Sequence, residues 1–184
     1  MKINNWKNNI KDETIDQYDY VGLNNNEDKI IKKYSEIIGS FLIQFNNLEH
    51  ELNLAISYYF IDDMVHEGYL ISKNLMFRNK IELFNDLYLT KLSFSEKKDL
   101  GLKKLKHLYN DLISINTFRN YVIHANWLTL DKENYVRTKL VTDNEGGIVK
   151  GKKVKITPSV IRININKINT IINQICYIKE YPFS

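Results

Sequence analysis

The residues with the clearest chemical potential are Arg119 and His124, which begin and end the run Arg-Asn-Tyr-Val-Ile-His. An arginine can hold a phosphate through its planar set of N–H donors. A histidine changes its protonation near neutral pH and can therefore remove or donate a proton. The two residue types together indicate chemistry at a phosphate group, in which the arginine stabilises negative charge.

A long amphipathic helix is predicted to carry this motif. Its apolar residues recur at steps of three and four, which is typical of a helix with one buried stripe. The same stepping continues to Arg119 and Val122, so we expect the arginine to lie on the buried stripe. A buried charge destabilises the fold unless it is paired with an opposite charge or binds a ligand. Arg119 is therefore a candidate functional residue. The residues that define the stripe are Leu105, Leu108, Leu112 and Ile115.

The bulk properties predict one globular domain with no membrane partner. The chain has 184 residues, of which 43% are hydrophobic and 26% are charged, a composition ordinary for a globular protein. No apolar run is long enough to cross a bilayer and the N-terminus is polar, so we expect a cytoplasmic protein. The net charge of +4 permits an RNA or phosphate partner without requiring one.

Cysteine and histidine usage gives no indication of a metal or another cofactor. A single cysteine excludes a disulfide within the chain and any thiolate cluster. The four histidines do not stand at metal-ligand spacing, so we predict that the protein uses no metal and no cofactor.

Hydrophobic periodicity predicts a mainly α fold of about four main helices, with a β-hairpin between the third and fourth. Residues 1–27 are read as a polar arm, and residues 28–184 as a single helical domain. The hairpin follows from alternating residues on both sides of the turn at 144–147. The fourth helix should begin at Thr157-Pro158, with the threonine as its cap. The first three helices are predicted at about 27–60, 71–89 and 95–124.

The run Arg119–His124, placed at the end of the third helix, resembles the motif of the HEPN superfamily (higher eukaryotes and prokaryotes nucleotide-binding domains). The Ala125-Asn126-Trp127 segment that follows also resembles the sequence at this point in such proteins. Two further features resemble one bacterial branch of the superfamily: the long first helix, with its Phe45-Asn46-Asn47-Leu48-Glu49 segment, and the hairpin and helix at the end of the chain. The resemblance covers about residues 30–180 and implies a HEPN-like helical bundle.

The resemblance also implies a function, that of a metal-independent endoribonuclease. Such an enzyme acts as a homodimer, leaves 2′,3′-cyclic phosphate ends, and serves in bacterial antiphage defence or the stress response, with a regulatory partner protein in some cases. His124 would be the general base or acid on the ribose 2′-hydroxyl, and Arg119 would hold the phosphate. Asn120 stands four residues before His124 on one helix face, where it could orient the imidazole or bind RNA.

Two features of the motif qualify what the resemblance implies. On an ideal helix, Arg119 and His124 are separated by about 140° of rotation, so either the arginine reaches round or the helix ends before the histidine. One variant of the superfamily has a tyrosine two residues after the histidine, which a partner nucleotidyltransferase modifies. Asn126 stands at that position, so the toxin–antitoxin arrangement of that variant is not expected.

Other candidate residues have both a functional and a structural interpretation. For Lys106 and His107 the functional interpretation is contact with RNA, and the structural one is a solvated helix face. For Trp127, beside Asn126, the two interpretations are stacking on a base and packing in the core. For Glu49 they are orientation of the site and a structural ion pair with Arg119.

The alternative functions remain open from the sequence alone. His124 could be a core histidine bonded to a carbonyl group. The protein could then be a non-catalytic HEPN-like module that binds RNA, a nucleotide or a protein. It could also be a helical interaction protein in which the motif arises by coincidence.

Overall fold

The computed structural model describes residues 14–15, 27–59, 65–94, 98–124, 126–129, 135–142 and 149–180. The chain is mainly α, as predicted, and the described residues form five helices. These helices are α1 (Glu27–Tyr59), α2 (Val65–Lys73), α3 (Phe77–Ser93), α4 (Lys98–Ile123) and α5 (Pro158–Glu180).

The segment between α4 and α5 forms an antiparallel sheet together with a short strand that precedes α1. Its strands, in chain order, are β1 (Thr14–Ile15), β2 (Asn126–Thr129), β3 (Tyr135–Thr142) and β4 (Val149–Lys155). In space the order is β1-β4-β3-β2, so a short strand from the N-terminal region lies beside β4. The turn predicted at 144–147 lies outside the described residues, as does most of the predicted arm at 1–27.

The prediction of one second helix at 71–89 was wrong. The structure has two helices there, α2 and α3, separated at residues 74–76. The backbone N–H of Leu75 donates to the carbonyl of Ser72 at 3.0 Å, which closes a turn after α2. Met76 then adopts an extended backbone (φ −61°, ψ 147°) directly before α3 begins. Asn74 is the sequence signal for this break, because asparagine competes for backbone hydrogen bonds outside helices.

Contacts divide the chain into two compact units. The first contains residues 1–41 and 121–163, and the second contains residues 42–120 and 164–184. The first unit therefore holds the sheet, together with the N-terminal parts of α1 and α5. The second holds α2, α3, nearly all of α4 and the remainder of α1 and α5. The single helical domain predicted over residues 28–184 stays a prediction.

Within the second unit, four helices contribute to a hydrophobic core. The buried stripe of α4 follows the prediction at Leu105, Leu108, Leu112, Ile115 and Val122, which are all buried, but not at Arg119. It passes from Ile115 to Phe118, which is fully buried, while Arg119 lies half-buried beside the stripe. A step of three residues in place of four therefore puts an aromatic side chain where the arginine was expected. Fully buried core residues include Leu48, Leu52 and Ile56 of α1, Ile81 and Leu92 of α3, and Ile168, Ile171 and Ile175 of α5.

The start of α5, in the first unit, confirms the predicted cap. The Thr157 side-chain oxygen accepts a hydrogen bond from the backbone N–H of Val160 at 3.3 Å. The Thr157 carbonyl accepts from Ile161 at 3.2 Å, which is the first bond of the helix. Pro158 occupies the first helical position, where its missing N–H costs nothing.

A close crossing of α1 and α2 in the second unit requires a glycine. A Cβ atom added to Gly68 would lie 2.6 Å from the Cα of Ser57. The obstacle is backbone rather than a flexible side chain, so the helices would have to separate to admit even alanine.

A buried tyrosine in the second unit makes stability sensitive to alkaline pH. Burial, and to a smaller extent Tyr59, raises the pKa of Tyr88 from 10.0 to about 12. The Tyr88 hydroxyl donates to the carbonyl of Ala55 at 3.5 Å. Because the folded-state pKa is the higher one, this contribution to stability is complete below pH 10 and is lost as the pH rises towards 12.

We therefore expect the wild type to lose more stability than Tyr88→Phe as the pH rises through this window. The excess loss should reach about 1–2 kcal/mol by pH 11. Urea denaturation from pH 8 to pH 11 measures it. Parallel stability curves for the two proteins would show that Tyr88 ionises equally in the folded and unfolded states.

Among the described residues, no helix is both long enough and apolar enough to cross a membrane.

Candidate functional site

Arg119 is held against aromatic side chains of the second unit. Its guanidinium carbon lies 5.6 Å from the centre of the Phe45 ring of α1. Phe45 in turn packs on Phe77 of α3, with ring centres 4.6 Å apart. A guanidinium over an aromatic face gains from cation–π attraction. Phe45 therefore contacts the guanidinium directly, and Phe77 supports the Phe45 ring from α3.

The hydrogen-bonding groups of Arg119 are only partly used. Its Nη1 donates to the Asn120 Oδ1 at 3.1 Å. Its Nε is buried and has no hydrogen-bond partner among the described residues. A buried donor without a partner costs about 1–3 kcal/mol. Arg119 therefore carries a positive charge whose N–H groups are only partly used among the described residues, and guanidinium N–H groups can donate hydrogen bonds to an oxyanion.

Glu49 does not serve as the ionic partner of Arg119 in the part of the chain that the structure describes. Its Oε1 lies 2.6 Å from the Nζ of Lys80 on α3. The Lys80 side chain is only 2% exposed, whereas that of Glu49 is 32% exposed. Glu49 therefore has a structural role, because it neutralises a buried lysine. The interpretation of Arg119 as one half of a Glu49 ion pair is wrong.

This ion pair leads to a stability prediction. Glu49→Gln leaves the buried Lys80 ammonium without a counter-charge and should destabilise the fold by about 1–3 kcal/mol. Adding Lys80→Met to that variant should restore most of the loss, because an apolar side chain then replaces the buried charge. Urea denaturation of the single and double variants measures both effects.

The matched control is Glu82→Gln, which removes the same charge from an exposed pair. Glu82 pairs with Arg78, and both side chains are more than two-fifths exposed. Such pairs contribute less than about 1 kcal/mol. Equal losses for Glu49→Gln and Glu82→Gln would contradict the structural role assigned to Glu49.

His124 directly follows the last residue of α4, and its side chain is exposed. The alternative that it is a core histidine is therefore excluded. It belongs to the first unit, whereas Arg119 and Asn120 belong to the second. An exposed imidazole at a helix end is accessible to a ligand.

The remaining candidates from the sequence are Lys106, His107, Asn126 and Trp127. Lys106 and His107 are exposed on α4. Thirteen residues of helix place Lys106 about 20 Å along the axis from Arg119, so it could bind only a distant part of an extended ligand. Asn126 and Trp127 are the first two residues of β2, and their side chains lie outside the described part.

Two contacts near the candidate site were not predicted from the sequence, that of Phe45 with Arg119 and that of Lys80 with Glu49. Phe45 is a buried residue of α1, but its contact with Arg119 depends on the packing of α1 on α4 and has no signal in the sequence. Lys80 had a usable signal, because it lies between Phe77 and Phe84 on the apolar stripe of α3. A lysine at helical spacing within such a stripe predicts a buried charge with a partner on a neighbouring helix.

Among the described residues, no group of three or more histidine, cysteine, aspartate or glutamate side chains is arranged to hold a metal ion. No protein-family model, no curated protein and no solved structure matches this chain.

Proposed function

We propose that this protein is a metal-independent endoribonuclease of HEPN type that acts as a homodimer. The observation that carries the proposal is the set of contacts that Arg119 makes and the hydrogen-bond donor that it leaves unused among the described residues. Phe45 supports Arg119, and among the described residues Arg119 has no acidic partner and its buried Nε has no hydrogen-bond partner. An arginine maintained in this way at a cost to stability is typical of a functional residue.

Arg119 holds the scissile phosphate in the proposed reaction. The planar guanidinium matches two phosphate oxygens at once, which a lysine ammonium does not. Because the charge is supported by packed rings, it needs little reorganisation when negative charge grows on the phosphate. The contact with Asn120 helps to fix the orientation of the guanidinium.

His124 transfers protons in the proposed reaction. It removes the proton from a ribose 2′-hydroxyl, and the resulting oxygen attacks the adjacent phosphorus. The bond from phosphorus to the 5′-oxygen then breaks, so the products are a 2′,3′-cyclic phosphate and a 5′-hydroxyl. RNA supplies its own nucleophile, and the chemistry therefore needs no metal-bound water.

A homodimer would supply the second proton-transfer group that this mechanism requires. One proton must leave the 2′-hydroxyl while another reaches the departing 5′-oxygen, and each motif contains one histidine. In the HEPN superfamily two subunits pack with their motifs facing, which provides two histidines to one cleft. We propose the same arrangement here, with a role in bacterial antiphage defence or the stress response and with a regulatory partner protein.

The test of the proposed function compares RNA with its 2′-O-methyl analogue in excess EDTA. We expect the RNA to be cut and the analogue to remain intact, because methylation removes the nucleophile. Cleavage of both substrates, or cleavage only when a divalent metal is added, would contradict the proposal. Salt-dependent binding of both substrates without any product would favour a non-catalytic binding module.

A further inference from the structure

The charged residues of the β-sheet are all of one sign. The four strands contain six lysine or arginine residues and no aspartate or glutamate. The chain as a whole is nearly balanced, with 26 basic and 22 acidic residues. The sheet therefore concentrates positive charge well beyond the average of the sequence.

The register of the sheet sorts most of this charge onto one face. Residues directly opposite in neighbouring strands share a face, and residues two apart along a strand share it as well. Lys139 pairs with Lys152, and Val141 pairs with Lys150. Arg137 stands on the same face, two residues before Lys139. Four basic residues on two strands thus occupy one face.

The same face also carries aromatic residues. Trp127 of β2 pairs with Arg137 of β3, and Thr129 pairs with Tyr135. Trp127 and Tyr135 therefore share the face of the four basic residues. The opposite face carries Ile15, Leu128, Val136 and Leu140, together with Lys153 and Lys155.

We propose that the face formed by Trp127, Tyr135, Arg137, Lys139, Lys150 and Lys152 binds single-stranded RNA, an inference that rests on the proposed function for the choice of RNA as the ligand. We call it the basic sheet face. Rows of basic residues follow a phosphate backbone, and aromatic residues beside them offer surfaces on which bases stack. Residues on one face recur about every 6.8 Å along a strand, so several can contact one extended strand.

The basic sheet face begins close in sequence to His124, the proposed catalytic histidine. Only two residues of chain separate His124 from Trp127, and the three residue steps between them span at most about 11 Å. Both belong to the first unit. RNA bound along this face would therefore reach His124, and the face would position the strand for cleavage.

The test measures binding of a fluorescein-labelled 12-nucleotide oligouridylate to full-length His124→Ala protein over a range of salt concentrations. Lys139→Gln with Lys152→Gln should weaken binding about tenfold. It should also lower the slope of log Kd against log salt by about 1.4, since each lost contact with a single strand contributes about 0.7. Lys153→Gln with Lys155→Gln is the matched control, because it removes the same charge from the opposite face.

Equal effects of the two double variants, or no measurable binding by His124→Ala itself, would overturn the inference. Lys139→Arg with Lys152→Arg should keep the affinity, which separates lost charge from a disturbed fold. Loss of binding in the first double variant without cleavage by the wild type would support the basic sheet face and contradict the proposed nuclease. Undiminished binding by that variant, with undiminished cleavage when the same two lysine substitutions are made in the wild type, would support the proposed nuclease and contradict the basic sheet face.

Discussion

Replacing His124 by alanine should lower the rate of RNA cleavage by about 10²- to 10⁴-fold, the range expected when a general acid or base is removed. The proposed reaction depends on proton transfer from the 2′-hydroxyl and to the 5′-oxygen, and His124 is the residue assigned to it. Its side chain is exposed at the end of α4, so its removal should leave the melting temperature nearly unchanged. Single-turnover cleavage of labelled RNA measures the rate.

His50→Ala is the matched control for this variant. His50 is also exposed, on α1, and has no assigned role in the reaction. Its substitution should alter neither the rate nor the melting temperature. A wild-type cleavage rate in His124→Ala would show that His124 takes no part in the reaction. A loss of cleavage rate in His50→Ala as large as that in His124→Ala would show that replacing any exposed histidine impairs cleavage.

Arg119→Met should reduce cleavage by about 10²- to 10³-fold, as expected when a group that stabilises transition-state charge is lost. Its effect on stability should be small, within about 1 kcal/mol in either direction. Methionine keeps an unbranched apolar chain near Phe45, while the buried Nε without a partner disappears. A purely structural arginine would give the opposite pair of results, lost stability and normal cleavage by the folded fraction.

The neighbouring residue provides the contrasting control. Phe118 is fully buried, and Phe118→Ala should destabilise the protein by about 3–5 kcal/mol through lost burial and a new cavity. Cleavage by the remaining folded protein should stay normal. Cleavage and urea denaturation together therefore separate the roles of two adjacent residues on α4.

The regular parts of the fold could be predicted from the sequence because local patterns determine them. The apolar periodicity of α1 gave its limits to within one residue, and the Thr157-Pro158 pair correctly marked the start of α5. The break between α2 and α3 was missed because Asn74 is a weak signal without a proline or glycine beside it.

The surroundings of the candidate site could be predicted less well because they depend on packing between distant segments. Helical stepping alone did not decide whether Phe118 or Arg119 continues the buried stripe of α4, since the step can be three or four residues. Glu49 was considered for Arg119 because both residues border apolar faces. Lys80 competes for that carboxylate across 31 positions of sequence, and only the packing of α1 on α3 reveals this.

The most direct test of the central claim is the rate of RNA cleavage by wild-type protein with and without excess EDTA, measured beside His124→Ala. We predict equal rates for the wild type in both conditions, products that end in 2′,3′-cyclic phosphate, and little cleavage by the variant. Activity that disappears with EDTA, or that persists undiminished in His124→Ala, would contradict a metal-independent ribonuclease centred on this histidine.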